Sequence, residues 1–409
     1  MTEFENKLKK YADVVIRFGI NLQQGEYLVI SADVNDAMVV RALTESAYEL
    51  GAKRVIALYS DEQLTKINYT YASVDSLSNL FPWEVERKNF VADIKACYIG
   101  ITSDNPDLLK DIDSKKISTV SRNLSPLFEK FREESGRNNF KWCIIAAASK
   151  AWADRIFPND NDNVEKLWDL IFQANRIDRE EPIKEWQKHI ERLQKNCKTL
   201  NKLKLKRLVY KNSLGTDLTV ELPDNYQFLG GSELSQDKCL FTANLPTEEI
   251  FSAPKRNGVN GKLFASLPLC YKGKIIKNFG FEFKDGKVVD CFAESGLETL
   301  NGILDIDDGA KYLGEVALIS FDSPINNTNT LYYSTLYDEN ARCHFALGMA
   351  YPSCVEGGEA LTAEEMLNHG LNVSQTHIDF MVGTDDLSVI GETSDGKKVD
   401  IIINGNIVI

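Results

Sequence analysis

The stretch Glu26–Ser60, "EYLVISADVNDAMVVRALTESAYELGAKRVIALYS", decides the fold of the first half of the chain. It opens on a short apolar run of strand type, "EYLVISA". It continues through "NDAMVVRALTESAYELG", where apolar residues recur at helical spacing and Gly51 marks the stop, and it closes on a second apolar run, "AKRVIALYS". Two strands separated by a helix are expected to pair in parallel, because a parallel connection needs a long crossover. The pattern repeats outward. A helical region around "NLFPWEVERKNFVAD" leads to a third strand in "KACYIGI", and a helix-like stretch ending near Gly136 leads to a fourth in "FKWCIIAAAS". These alternations predict an α/β N-terminal domain, doubly wound, with a mostly parallel sheet covered on both faces.

Such domains often bind dinucleotides at a glycine-rich turn after the first strand. Here that turn reads "ADVNDA", and neither G-x-G-x-x-G nor G-x-x-x-x-G-K-[ST] is present. A nucleotide phosphate therefore lacks the bare backbone it would need. Residues 177–208, "IDREEPIKEWQKHIERLQKNCKTLNKLKLKRL", predict a long charged linking helix, with His189 read as a solvated residue on it.

Beyond residue 205 the period changes to that of strands. "RLVYKNSLGTDLTVELP" reads as a hairpin turning at Gly215, "FGFEFKDGKVVDCFAES" as a second turning at "DG", and "KKVDIIINGNIVI" as a third turning at "NG". Helices are expected in "ESGLETLNGIL" and "TAEEMLNHG". The expected division is 1–205, ending in the linking helix, and 206–409, an α+β C-terminal domain with antiparallel sheet.

The net charge of −13 argues against a nucleic-acid backbone as the main partner. The eight cysteines form no C-x-x-C pair and read as small buried residues in a reducing compartment. The N-terminus has no signal-peptide pattern, and no run of about 18 apolar residues exists to span a membrane. A soluble, cytoplasmic protein is expected.

Four places in the second half bring carboxylates and histidines into apolar sequence: Glu248 and Glu249 in "NLPTEEIFSAP", Glu315 in "DDGAKYLGEVALIS", the stretch "LYDENARCHFALGMAY" over 336–351, and "THIDFMVG". If "THIDF" is a strand, His377 and Asp379 share one face while Ile378 and Phe380 enter a core. Glu339 and His344 are five apart, which is not a helical zinc spacing. Their spacing fits Glu339 at the end of a strand or loop before a turn to His344, with Asp338 as a substitute or a cap. Tyr351 could simply be a packed aromatic. A carboxylate buried at the start of an apolar strand, such as Glu315 or Glu249, costs several kcal/mol unless it meets a partner or a cation. Together four carboxylates and two histidines are enough for two divalent cations sharing a ligand, and mixed oxygen and imidazole donors suit Zn, Co or Mn. His369, just before Gly370, reads as a helix end. A Cys343–His344 nucleophile is disfavoured, since adjacent side chains rarely point at each other.

"NLPTEEIFSAP", "GAKYLGE", "LYDENARCHFALGMAY" and "THIDFMVG", in this order, resemble the thermophilic metallo-aminopeptidase family of the aminopeptidase T and aminopeptidase S type, over essentially the whole chain. The resemblance implies an exopeptidase that releases single residues from peptides with a free N-terminus, using two divalent metal ions (Zn, Co, Mn or Mg) and acting as a homodimer with enclosed sites. The family's ligand pattern falls on Glu249, Glu315, Glu339, His344, His377 and Asp379. Glu315 would bridge the metals and Tyr351 would donate to the oxyanion. This chain has Glu248 where the family usually has Gly, which leaves Glu248 or Glu249 as the first ligand, and Glu249 is taken because it immediately precedes "IFSAP". An exopeptidase must also meet a free α-amine, with a metal or with a spare carboxylate, for which Glu248 is a candidate. Two other readings are a metal-dependent amidase or deacylase acting on a non-peptide amide, and a non-catalytic binding protein.

Overall fold

The computed structural model describes residues 2–103 and 105–409. The chain divides into two compact units, Met1–Ile190 with Ser232–Thr247, and Glu191–Gly231 with Glu248–Ile409. In the first, strands Tyr27–Asp33 (β1), Arg54–Ser60 (β2), Cys97–Thr102 (β3) and Trp142–Ala146 (β4) form a parallel sheet in the order β2-β1-β3-β4. With right-handed crossovers, the reversal of direction at β1 sends the connections to opposite faces, the doubly wound arrangement expected from the sequence.

Alternation along the strands supplies both faces. Val29 and Tyr98 pack with Val91, Ala92, Phe131 and Phe140, while Leu28, Ile30, Cys97 and Ile99, at the intervening positions, are also buried. The first βα turn is filled by carboxylates. Asp33 accepts from the N–H of Asn35 at 3.0 Å, and the buried Asp36 accepts from the Ser103 hydroxyl at 2.7 Å. Residues 243–245 run beside β4, with Ile144 N–H donating to Ala243 O and Leu245 N–H to Ile144 O, so this edge strand is covered.

One expectation is overturned in this unit. His189 lies on the helix Pro182–Lys202 but is buried rather than solvated. Its Nε2 donates to Thr247 O at 2.9 Å, and Trp186 meets its ring edge-on at 5.7 Å. The reason is the helical stripe of Trp186, His189, Ile190, Leu193 and Cys197, all buried, which outweighs the charged immediate neighbours.

The second unit is antiparallel. Its larger sheet includes Leu205–Lys211 paired with Asp217–Glu221, and Lys274–Lys284 paired with Lys287–Ser295 across Asp285 and Gly286, both at positive φ. A smaller four-stranded sheet runs His377–Met381, His344–Gly348, Leu313–Leu318, Ile250–Ser252. In chain order these are β5 (Ile250–Ser252), β6 (Leu313–Leu318), β7 (His344–Gly348) and β8 (His377–Met381). One face of this sheet is apolar. Phe345 meets Tyr210 at 5.1 Å, and Phe380 meets Phe281 at 5.2 Å, so the two sheets share a core. Each buried side chain of this kind contributes roughly 1.5–3 kcal/mol. That burial fixes which residues must face the other way.

Candidate metal centre

The register of the small sheet builds the site. Phe251, Ala317, His344 and Met381 form one cross-strand row. Glu315, Ala346 and Asp379 form the next on the same face, and Gly348 stands opposite His377 beyond them. The central strand β7 thus carries Ala346 between Glu315 and Asp379 and Gly348 beside His377, leaving room where larger side chains would fill the space. Glu249 immediately precedes β5 and shares the face of Phe251. A β-bulge at Gly314 sets Glu315 into this face, and a Cβ at Gly314 would lie 2.3 Å from Met349 O.

The side chains converge. His344 Nε2 is 3.2 Å from Glu249 Oε2 and 3.7 Å from Glu315 Oε1. His377 Nε2 is 3.1 Å from Glu315 Oε2 and 3.3 Å from Asp379 Oδ1. Among the described residues, Glu249, Glu315 and His344 form one group with donor atoms close enough to hold an ion, and Glu315, His377 and Asp379 form another. Glu315 belongs to both. Each imidazole is oriented from behind. His344 Nδ1 lies 2.9 Å from Glu339 O, and His377 Nδ1 lies 2.7 Å from Met349 O. A carbonyl only accepts, so Nδ1 carries the proton in both rings and Nε2 faces the carboxylates.

Glu339 belongs to neither group, yet it stands close. Burial, and then the charges of Asp379 and Glu249, push its carboxyl well above the ordinary range. It sits on the helix Thr335–Ala341, not at the end of a strand or loop as expected. The chain becomes extended at Arg342, and β7 then starts at His344. Helix and strand therefore meet around this turn, which a spacing of five along one helix would not allow. Asp338 supports the turn before that helix, accepting from Tyr332 N–H at 2.9 Å and Ser334 N–H at 3.2 Å. Burial raises its carboxyl to about 7.

The electrostatics of the cluster favour positive charge. Four carboxylates share a small, largely buried volume with two imidazoles. Burial, and after it the charge of Glu315, lifts the Glu249 carboxyl against the pull of His344. Burial also lifts Glu315, but hydrogen bonds and charge from His344 and His377 outweigh it and bring that carboxyl down to about 2. Burial disfavours the charged form of both histidines, yet Glu249 and Glu315 hold His344, and Asp379 and Glu315 hold His377, well above the ordinary imidazole value. The cluster draws positive charge to both Nε2 positions, the demand that a cation would meet. Mixed carboxylate and imidazole donors oriented by backbone carbonyls match divalent metal chemistry.

Tyr351 flanks this cluster, its ring 5.1 Å from that of His377 and 5.9 Å from that of Phe251. Glu248 is buried, and its N–H donates to Asn340 Oδ1 at 2.7 Å. Asn340, fully buried, also donates to Leu336 O at 2.9 Å. The sequence reading missed it. Its one signal was an asparagine beside Glu339 within a segment that otherwise reads as core. His369 belongs to neither ligand group. It ends the helix Ala363–Asn368, whose capping box joins Thr362 to Glu365.

Known proteins resemble this chain over nearly its whole length. The family described as thermophilic metalloprotease (M29) matches residues 4–407. "Aminopeptidase 2" of Geobacillus stearothermophilus is 40% identical over 99% of this chain and 98% of its own. "Aminopeptidase AmpS" of Bacillus subtilis is 38% identical over 99% of both. The solved structure of wild-type AmpT from Thermus thermophilus superposes with a TM-score of 0.91 at 32% identity, covering 99% of this chain and all of that one.

Proposed function

Because this chain belongs to the thermophilic metalloprotease (M29) family, we propose that it is a metallo-aminopeptidase releasing single residues from short peptides with a free N-terminus. The observation that carries the reading is Glu315, whose two oxygens face different histidines within two overlapping ligand groups. The residues fit two divalent cations (Zn, Co, Mn or Mg). Glu249, Glu339 and His344 would hold one, His377 and Asp379 the other, with Glu315 between them. When bound, such a pair would supply an activated water and positive charge beside the carbonyl oxygen as the carbonyl carbon becomes tetrahedral.

The chain's own residues do the rest. The imidazoles keep their Nδ1 protons on backbone carbonyls, so neither ring has to reorient during a turnover. The Tyr351 hydroxyl donates a hydrogen bond to the developing oxyanion. Glu248 receives the substrate's α-ammonium, which would restrict cleavage to free N-termini. The names of the relatives support the aminopeptidase reading, and the net charge of −13 supports peptides over nucleic acid. Among the described residues no helix is long and apolar enough to cross a membrane, and the reading includes a cytoplasmic homodimer.

The test compares a free peptide with its N-acetylated form, using chelator-stripped protein before and after adding back Zn, Co, Mn or Mg. Hydrolysis restored by metal and blocked by acetylation is expected. Equal cleavage of both forms would move the assignment to a broader amidase, and no cleavage with any metal would leave a binding protein.

A further inference from the structure

We propose that Asn372 is a positioning residue for the half of the site formed by Glu315, His377 and Asp379, because it fixes the carbonyl that orients His377. The inference rests on the two-cation reading. Asn372 is fully buried. Its Nδ2 donates to Gly348 O at 2.6 Å and Gly309 O at 2.8 Å, and its main-chain carbonyl accepts from Ala350 N–H at 2.9 Å. Gly348 and Ala350 flank Met349, whose carbonyl accepts from His377 Nδ1 at 2.7 Å. One asparagine therefore clamps the chain on both sides of the carbonyl that sets the tautomer of a candidate ligand.

The clamp answers a local need. At Gly348 the chain leaves β7 with φ at +106°, and a Cβ there would lie 2.1 Å from Thr376 O. A glycine so placed has many alternatives, and the contacts of Asn372 select among them. The orientation of the amide is itself determined. Arg256 Nε donates to Asn372 Oδ1 at 3.0 Å, and since a guanidinium only donates, Nδ2 must face the two carbonyls. Arg256 is held in turn by Asp308 at 3.2 Å and by the Tyr312 ring, 3.7 Å from the guanidinium carbon. A path runs from Arg256 through Asn372 and the segment Gly348–Ala350 to His377.

Zinc titration calorimetry on the full-length, metal-stripped protein tests this, with the downfield Nδ1–H signal of His377 recorded by NMR in the metal-free state. The variants are Asn372→Ala and the isosteric Asn372→Asp, which puts an oxygen where the donor was and decides the matter if the alanine form does not fold. Asn175→Ala, at another fully buried asparagine, which donates to Ile171 O at 2.9 Å, is the stability control. We expect the wild type to show two binding events. The Asn372 variants should weaken one event by roughly 10- to 100-fold, the usual scale for groups behind a metal ligand, and lose the His377 signal while the control keeps both. Two unchanged events in a folded Asn372 variant would overturn the inference and leave the two-cation reading intact. An equal loss in the control would also overturn it, by showing a general stability effect. If the wild type binds no zinc, the two-cation reading falls, and a His377 signal persisting in the variants would then overturn the positioning role as well.

Discussion

Oε2 of Glu315 lies 3.1 Å from Nε2 of His377, while the other oxygen of the same carboxylate lies 3.7 Å from Nε2 of His344. One side chain on β6 thus faces the imidazoles of β7 and β8 at once. Removing its charge should undo both halves of the site. Glu315→Gln keeps the shape, and kcat/KM for a free peptide is expected to fall by on the order of a hundred- to a thousandfold, the scale of losing a preorganised electrostatic group. Steady-state kinetics on metal-loaded protein with an unchanged circular dichroism spectrum would check it. Activity within tenfold of wild type would remove Glu315 from the site.

Cation affinity should rise with pH. In the metal-free cluster both histidines are held protonated above the ordinary imidazole value by their carboxylate neighbours. A cation needs Nε2 bare, so binding must expel these protons, and lowering the pH strengthens the competitor. Titration calorimetry in buffers of different ionisation enthalpy should show proton release that shrinks as pH rises. Proton uptake on binding would contradict the assignment.

Asn340→Ala should destabilise the fold as well as the site. It strands the Glu248 N–H in a buried place, and a stranded group costs about 1–3 kcal/mol. Urea denaturation should show a loss of about 1–3 kcal/mol on that basis. An unchanged midpoint would mean that water replaces the asparagine.

Lys141→Met is the counterpart in the parallel-sheet unit. The Lys141 ammonium, its side chain 2% exposed, lies 2.8 Å from Glu26 and donates to Asn21 O at 2.8 Å. Breaking a buried pair costs about 3–5 kcal/mol, and about 2 is expected here because the Glu26 side chain is a quarter exposed. Metal content should stay at the wild-type level. A loss of metal together with stability would show that this pair matters to the site.

Much of this was legible because short-range periodicity carried it. The four parallel strands follow from apolar runs separated by helical segments, and the facing of His377 and Asp379 follows from the two-residue repeat of "THIDF". Glu339 was misplaced because spacing alone distinguishes one helix from not one helix. It does not show a helix followed directly by a strand. His189 was misread from its charged neighbours, although the stripe from Trp186 to Cys197 held the signal. Asn340 and Asn372 were invisible for another reason. Their partners lie far along the chain, 92 residues away for Asn340 and Glu248, and no local pattern records such a contact.

The most direct measurement is anomalous diffraction from crystals of the metal-stripped protein reloaded with zinc, collected on both sides of the zinc edge. Two anomalous peaks are expected, one beside each oxygen of Glu315, the first near His344 and Glu249 and the second near His377 and Asp379. A single peak, or peaks that do not touch Glu315, would contradict it.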